Sequence, residues 1–346
     1  MPTLRTLKDL EREGLVAPDP RLAEVANGMA IGLTEEMLAL IDRRDPAGDP
    51  IARQFVPDLR ELNIAPGEIA DPIGDEARSP IKGIVHRYPD RVLLKPLHAC
   101  PVYCRFCFRR EKVGPGADAL NDTELETALD YIRARPEIWE VILTGGDPLM
   151  MAPRRLAALM EGLDTIAHVA VIRLHSRVPI VEPSRITDQL VQTLRGRRAA
   201  IWLGVHCNHW RELAAPSRAA LARLAEAGLP LIGQTVLLAG INDDVETLDR
   251  LMRDLVSCRV KPYYLHHPDL VRGTGHFRVS VERGQELMKA LRGRLSGLAQ
   301  PTYVLDVPGG HGKVPIGPGY LGDDPEARTE AFVVEDAFGG RHSYPG

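Results

Sequence analysis

From about residue 90 the chain alternates short apolar runs with longer stretches whose apolar residues recur at helical spacing. The runs are Arg91–Lys95, Val141–Thr144, Val171–His175, Ile201–His206, Leu231–Leu237 and Tyr263–His266. Between them lie the helical patterns Glu124–Arg135, Arg154–Asp164, Ile186–Gly196, Arg218–Gly228 and Val245–Cys258. The first opens on Asn121 with Glu124 three residues on, a reciprocal capping signature, and Pro136 stops it. The last follows Asn242-Asp243-Asp244, side chains suited to accept from the free amides of a helix start. A further pair, helix Glu282–Leu295 and strand Thr302–Val307, extends the pattern. Strands alternating with helices in this way pair in parallel through right-handed crossovers. Short, strongly apolar strands suit a sheet covered by helices on one face and filled on the other. The expectation is an α/β fold, a partial, open (β/α)6 barrel over residues 85–280. Residues 1–84 read as a mostly helical extension and 281–346 as a C-terminal segment. No internal repeat or low-complexity tract is evident.

In such barrels chemistry collects at the C-terminal ends of the strands. The second run leads into Gly145-Gly146-Asp147-Pro148, the third ends at His175-Ser176-Arg177 and the fourth at His206. Gln234 lies within the fifth, His266, His267 and Asp269 follow the sixth, and the last strand ends at Asp306. A lone strand-end histidine is more often a satisfied structural group. So many polar strand ends are hard to explain as packing.

Composition narrows the class. A chain of 346 residues can bury a large core, and its 44% hydrophobic content, 26% charged content and formal charge of −4 leave no nucleic-acid footprint. No apolar run approaches a membrane span, and the opening Met-Pro-Thr-Leu-Arg-Thr-Leu-Lys-Asp lacks the apolar stretch of a signal peptide. Three of the five cysteines are clustered, so a reducing, cytoplasmic setting is expected rather than a disulfide framework. Cys207 and Cys258 read as ordinary buried thiols.

The clustered cysteines are Cys100, Cys104 and Cys107, within Ala99-Cys-Pro-Val-Tyr-Cys-Arg-Phe-Cys-Phe-Arg-Arg110. No fourth cysteine or histidine follows closely, whereas a structural zinc site is closed by four ligands. Three thiolates can hold three corners of a [4Fe–4S] cluster and leave one iron open to a ligand that is not protein. In this the chain resembles the radical S-adenosylmethionine (SAM) superfamily, whose fold is the partial barrel and whose SAM chelates the open iron. The resemblance implies SAM contacts from Gly145, Gly146 and Asp147, where missing side chains let backbone approach a ligand. Ser176, Arg177 and His206 are further candidates.

A second centre is Asp306-Val-Pro-Gly-Gly-His-Gly-Lys313-Val-Pro. Its lysine could be a solvated loop lysine, a phosphate ligand or a Schiff-base lysine for pyridoxal phosphate (PLP). The loop lacks the spacing and the Ser/Thr of a P-loop. The segment does resemble the PLP-lysine loop of the lysine 2,3-aminomutase family. So do Val85-His-Arg-Tyr-Pro-Asp-Arg91, the cysteine loop, Leu231-Ile-Gly-Gln-Thr-Val-Leu-Leu238 and Lys261-Pro-Tyr-Tyr-Leu-His-His-Pro-Asp269, in register from roughly residue 30.

That resemblance implies roles. Lys313 would carry PLP, with Arg87 and Arg91 on its phosphate, since forked guanidinium donors bind phosphate oxygens bidentately. Gln234 and His266 would complete the PLP site, His266 standing where free-lysine aminomutases stack an aromatic ring. Arg109 would clamp the substrate carboxylate, and Asp269 and Asp306 the distal ammonium of lysine. The C-terminal cysteines that make a zinc site in some members are missing and Asp244 takes the partner position, so no zinc is expected. The implied reaction makes β-lysine from L-lysine through a 5′-deoxyadenosyl radical and 1,2-amino migration. Two aspartates at the far end disfavour glutamate, because a buried ammonium needs paired carboxylates. An electron donor such as flavodoxin or ferredoxin and a homo-oligomeric assembly are expected. One alternative is a lysine aminomutase serving elongation factor P, disfavoured by the glycine-rich loop 308–313 and the retained tail 330–346. Another is a retired iron–sulfur scaffold or sensor, which has little reason to keep Lys313, Arg109, Asp269 and Asp306 together.

Overall fold

Every apolar run of the sequence is a strand in the computed structural model, which describes residues 3–116, 118–323 and 331–345. The strands are β1 (Ile84–Tyr88), β2 (Arg91–Leu97), β3 (Glu140–Gly145), β4 (Val171–Ser176), β5 (Ala200–His206), β6 (Leu231–Val236), β7 (Val260–His266), β8 (Thr302–Val307) and β9 (Gly312–Pro315). They form one sheet in chain order. From β2 to β8 each pairs in parallel with the next, and antiparallel β1 and β9 flank the two ends. Strands β1 and β9 are hairpin partners that the run pattern does not predict. Among the described residues no pairing joins β9 back to β1, so the barrel stays open along one seam.

Four short helices precede the sheet: α1 (Leu7–Arg12), α2 (Leu22–Gly28), α3 (Glu35–Leu38) and α4 (Ala52–Phe55). The crossovers carry α5 (Asp122–Arg133), α6 (Pro153–Asp164), α7 (Val178–Val181), α8 (Asp188–Leu194), α9 (Ala215–Glu226), α10 (Val245–Ser257) and α11 (Val281–Arg292). Asn121 and Glu124 cap α5 reciprocally, and Asp244 caps α10 by accepting from the Thr247 amide. On α10 the residues Leu248, Leu251, Met252 and Leu255 are buried at spacings of three and four. Truncating fully buried Leu251 to alanine would cost about 2–5 kcal/mol, transfer plus cavity. One continuous core draws Leu10 and Phe55 of the N-terminal helices together with the barrel as far as Tyr303. A separate three-stranded antiparallel sheet, β10 (Leu321–Asp323), β11 (Ala331–Glu335) and β12 (Arg341–Pro345), ends the described chain.

Strand alternation builds the interior. On β4, Ile172 and Leu174 are fully buried in the hydrophobic core while Arg173 and His175 face a central cavity. On β5, Leu203 and Val205 join the core while Gly204 and His206 face the cavity. The barrel is therefore lined with polar groups and holds about 590 Å³ of space where a closed barrel would be packed.

Candidate active site

Cys100, Cys104 and Cys107 all border this cavity. Their loop turns back on itself, the Cys107 amide donating to the Cys104 carbonyl at 2.9 Å. Two buried arginines fasten it. Arg105 donates Nε and Nη2 to Glu61 at 2.8 and 2.6 Å, and Arg110 Nη2 reaches the same carboxylate at 2.5 Å. The Arg105 amide bonds the Gln54 carbonyl at 2.8 Å. Burial pushes all three thiols up, Cys107 to about 11, with neighbouring sulfurs adding to the shift at Cys100 and Cys107. Protons leave such thiols when a metal supplies the compensating charge. Three thiols on one cavity wall fit a cluster with an open iron.

Beside them a second network orders the strand ends. Asp147 accepts from Ser176 Oγ at 2.8 Å and from the amides of Arg177, Val178 and Leu149 at 2.7, 3.1 and 3.1 Å. Burial raises its pKa against the pull of those donors. Arg177 donates to Glu212 at 2.7 Å, to Gln54 at 2.6 Å and to the Cys104 sulfur at 2.8 Å. Of the residues expected at SAM, Gly146, Asp147, Ser176, Arg177 and His206 border the cavity, and Gly145 does not. The glycines have a second reason to be small. A Cβ on Gly146 would stand 2.4 Å from the Ala99 carbonyl oxygen, and one on Gly145, at φ +101°, 2.8 Å from that of Leu97. Their bareness lets the end of β2 and the start of the cysteine loop pass close to the end of β3. Half-buried His206 is held neutral by desolvation, at about 3, with Asn208 accepting 3.1 Å away.

Lys313 borders the same cavity. The glycine loop is the β8–β9 hairpin turn, with Gly309, Gly310 and Gly312 at φ of 82, 81 and 96°, a region open to glycine. The turn sets Lys313 across from Asp306 in the strand register, and the ammonium bonds that carboxylate. His266 Nδ1 lies 3.4 Å from Nζ, and the ring stays neutral because burial drives its pKa far down. The Tyr264 ring stands 5.7 Å from Nζ, and the Lys313 amide donates to the Tyr88 hydroxyl at 2.7 Å. Gln234 contacts His175 across the floor at 3.2 Å.

The arginines divide. Arg91 stacks on Tyr88 at 3.7 Å and bonds Asp90 at 2.6 Å. Arg87 donates to the Ile73 carbonyl at 2.5 Å and stands 3.8 Å from Asp306. Arg109 turns Nε and Nη2 to Asp75, at 3.0 and 2.9 Å. Asp269 borders the cavity with its carboxyl raised to about 7 by burial, Asp306 adding to the shift and Lys313 offsetting part of it. Asp244, weighed as a zinc-partner position, is occupied as the α10 cap. Sequence reasoning missed Asp75, Gln54, Glu61, Glu212, Tyr88 and Tyr264. For Gln54 and Glu61 the partners lie far off in the chain, 123 residues for Gln54 and Arg177 and 44 for Glu61 and Arg105, so no local spacing could have found them.

The barrel and its three-cysteine wall define a member of the radical SAM superfamily, whose family model matches residues 94–252. The C-terminal part, residues 288–340 with Asp306 and Lys313, matches the Lysine-2,3-aminomutase model. L-lysine 2,3-aminomutase of Clostridium subterminale is 41% identical over 300 residues, 87% of this chain and 72% of that one. L-lysine 2,3-aminomutase of Methanococcus maripaludis is 43% identical over 291 residues, 84% and 67% of the two chains. Glutamate 2,3-aminomutase of Clostridioides difficile is 38% identical over 300 residues, 87% and 70%. The chain belongs to the lysine 2,3-aminomutase family. A [4Fe–4S] cluster, SAM and PLP are the cofactors of that family, and the thiols, the glycine-flanked strand end and Lys313 fit them. No helix among the described residues is long and apolar enough to cross a membrane.

Proposed function

We propose that the chain is an isomerase that converts L-lysine to β-lysine by moving the amino group from Cα to Cβ. The observation that carries the reading is one cavity bordered by three thiols, Lys313, and the two carboxylates Asp269 and Asp306. Identity alone does not choose the substrate, because a glutamate enzyme is nearly as similar as the lysine enzymes. The carboxylates do. A glutamate side chain would meet two acids, while an ammonium would relieve their mutual repulsion.

Bound in the cavity, the cofactors would supply one-electron hydrogen abstraction and a covalent carrier for the migrating amine. The protein's own groups do the rest. Arg87 and Arg91 hold a phosphate, and Arg109 orients the α-carboxylate. Neutral His266, 3.4 Å from Nζ, gives Lys313 a hydrogen-bond acceptor beside Asp306. Asp306 holds the Lys313 ammonium in the free chain and exchanges it for that of the substrate, so the local charge is unchanged. Seating the reacting groups inside the barrel limits the access of water to a reactive carbon centre. A small electron-donating protein such as flavodoxin or ferredoxin, a homo-oligomeric assembly and a cytoplasmic setting complete the proposal.

The deciding experiment is anaerobic incubation of the reconstituted protein with SAM, PLP and reductant, with lysine, glutamate and arginine supplied separately. β-Lysine from lysine alone is expected. β-Glutamate as the main product, or no 5′-deoxyadenosine from any of the three, would reject the reading.

A further inference from the structure

Asp75 belongs to neither predicted ligand set, yet both converge on it. It lies in the segment Asp71-Pro-Ile-Gly-Asp75 ahead of the barrel, and its side chain is 8% exposed. Its Oδ2 faces Arg109 at 2.9 Å and Lys95 at 3.6 Å, and its Oδ1 faces Arg87 at 3.4 Å. Burial raises its pKa, and Arg109, Lys95 and Arg87 more than reverse that, so it is an anion among three cations. The backbone around it is fixed by other means. The Asp71 carboxylate accepts from the amides of Asp75 and Glu76 at 2.9 and 2.8 Å, and Ser79 Oγ donates to the Asp75 carbonyl at 2.7 Å. The same segment touches the turn that carries Lys313. A Cβ on Gly74 would lie 2.5 Å from the Gly310 amide nitrogen, and the Ile73 carbonyl accepts from Arg87.

We propose that Asp75 is a positioning residue that orients Arg109 for the substrate carboxylate and ties that clamp to the phosphate-holding Arg87. Arg109 gives its Nε–Nη2 side to Asp75 while bordering the cavity, so the guanidinium meets its ligand already oriented. A long side chain fixed beforehand loses less rotamer freedom on binding. Without Asp75, three cations would share a buried site and spread apart. The inference rests on the assignment of Arg109 made under the proposed function, and the test separates the two.

Asp75→Asn keeps the shape and removes the charge; Asp75→Ser, smaller and also neutral, is carried beside it in case the amide crowds the guanidinium. The PLP-loaded, cluster-reconstituted full chain is titrated by absorbance with L-lysine and with 1,5-diaminopentane, which lacks the carboxylate. PLP binding to the PLP-free protein is measured separately by equilibrium dialysis. Removing Asp75's charge should weaken lysine about tenfold, because an Arg109 no longer held in place must be ordered on binding. Diaminopentane should stay within about twofold because it never engages Arg109, while PLP weakens by about threefold through Arg87. The cluster's absorbance should not change. Equal loss for both amines would mean general loosening, and unchanged or tighter lysine binding would mean a spectator or competing anion; each overturns the proposal. If the unsubstituted protein itself fails to prefer lysine over the diamine, the Arg109 assignment falls and takes the proposal with it.

Discussion

The two ends of the cavity treat buried charge in opposite ways. At the cysteine end every acid is spoken for by protein. Glu212 accepts from Arg177, Gln54 and the amides of Asn208 and His209, at 2.7, 3.1, 3.0 and 2.9 Å. Asp147 and Glu61 are as fully engaged. At the lysine end Asp269 borders open space with a carboxyl pushed to about 7, and Lys313 with Asp306 forms a pair exposed to the cavity. A completed network rigidifies, whereas an under-paired one is poised for a ligand. The acids near the cysteines hold the shape of the wall; those near Lys313 are left open to the cavity.

The sharpest break comes at the cysteines. Replacing Cys104 by alanine should abolish cluster iron and 5′-deoxyadenosine formation together, read by iron analysis and chromatography. Lys313→Ala should remove the visible absorbance of bound PLP and leave the cluster spectrum intact. Full aminomutase activity in that variant would end the comparison as drawn. Glu212→Gln leaves Arg177 buried with its charge unmatched, so it should cost about 3–5 kcal/mol in denaturant unfolding. Asp269→Asn should change stability little or favourably while weakening lysine use by roughly tenfold, about 1.4 kcal/mol. Asp306→Asn should weaken lysine use to a similar degree. Equal stability losses at Glu212 and Asp269 would erase the contrast.

The smallest effect is pH. Asp269 titrates near 7 rather than in the usual carboxylate range. A group raised in the folded state favours folding when protonated, so the ligand-free chain loses that contribution as pH rises through about 7. An ammonium ligand needs the carboxylate form, so lysine should bind about fourfold more tightly at about pH 8 than at about pH 6.5. Titration calorimetry would show it, and Asp269→Asn should flatten it.

Much of this was legible in the linear chain, for physical reasons. Strand runs and amphipathic helices announce themselves by period, and the Asn121 and Asp244 caps mark where helices begin. The cysteine spacing and the Gly-Gly-His-Gly-Lys313 turn are local chemistry, visible at short range. The hairpin strands β1 and β9 escaped, since one carries polar ligands and the other spans four residues from glycine to proline. Asp75 escaped because Asp-Pro-Ile-Gly-Asp looks like a solvated turn, and only the fold brings Arg87, Lys95 and Arg109 around it. Gly145 and Gly146 were singled out as places where backbone meets a ligand, and the structure gives them a packing reason to be bare. The approaching groups in this structure are the end of β2 at Gly145 and the His98–Ala99 backbone entering the cysteine loop at Gly146.

The double arginine fork on Glu61 bears on the order of assembly. Its hydrogen bonds use no sulfur, so the polypeptide itself dictates the course of the loop from Cys100 to Arg110. Glu61 also precedes that loop in the chain, so during synthesis the anchor leaves the ribosome before the segment it will hold. Iron then meets a loop that is already anchored. In small zinc domains, by contrast, binding energy and folding energy are one quantity and chelation unfolds the chain. Here stripping the metal should empty the wall while leaving the barrel standing, ready to be refilled.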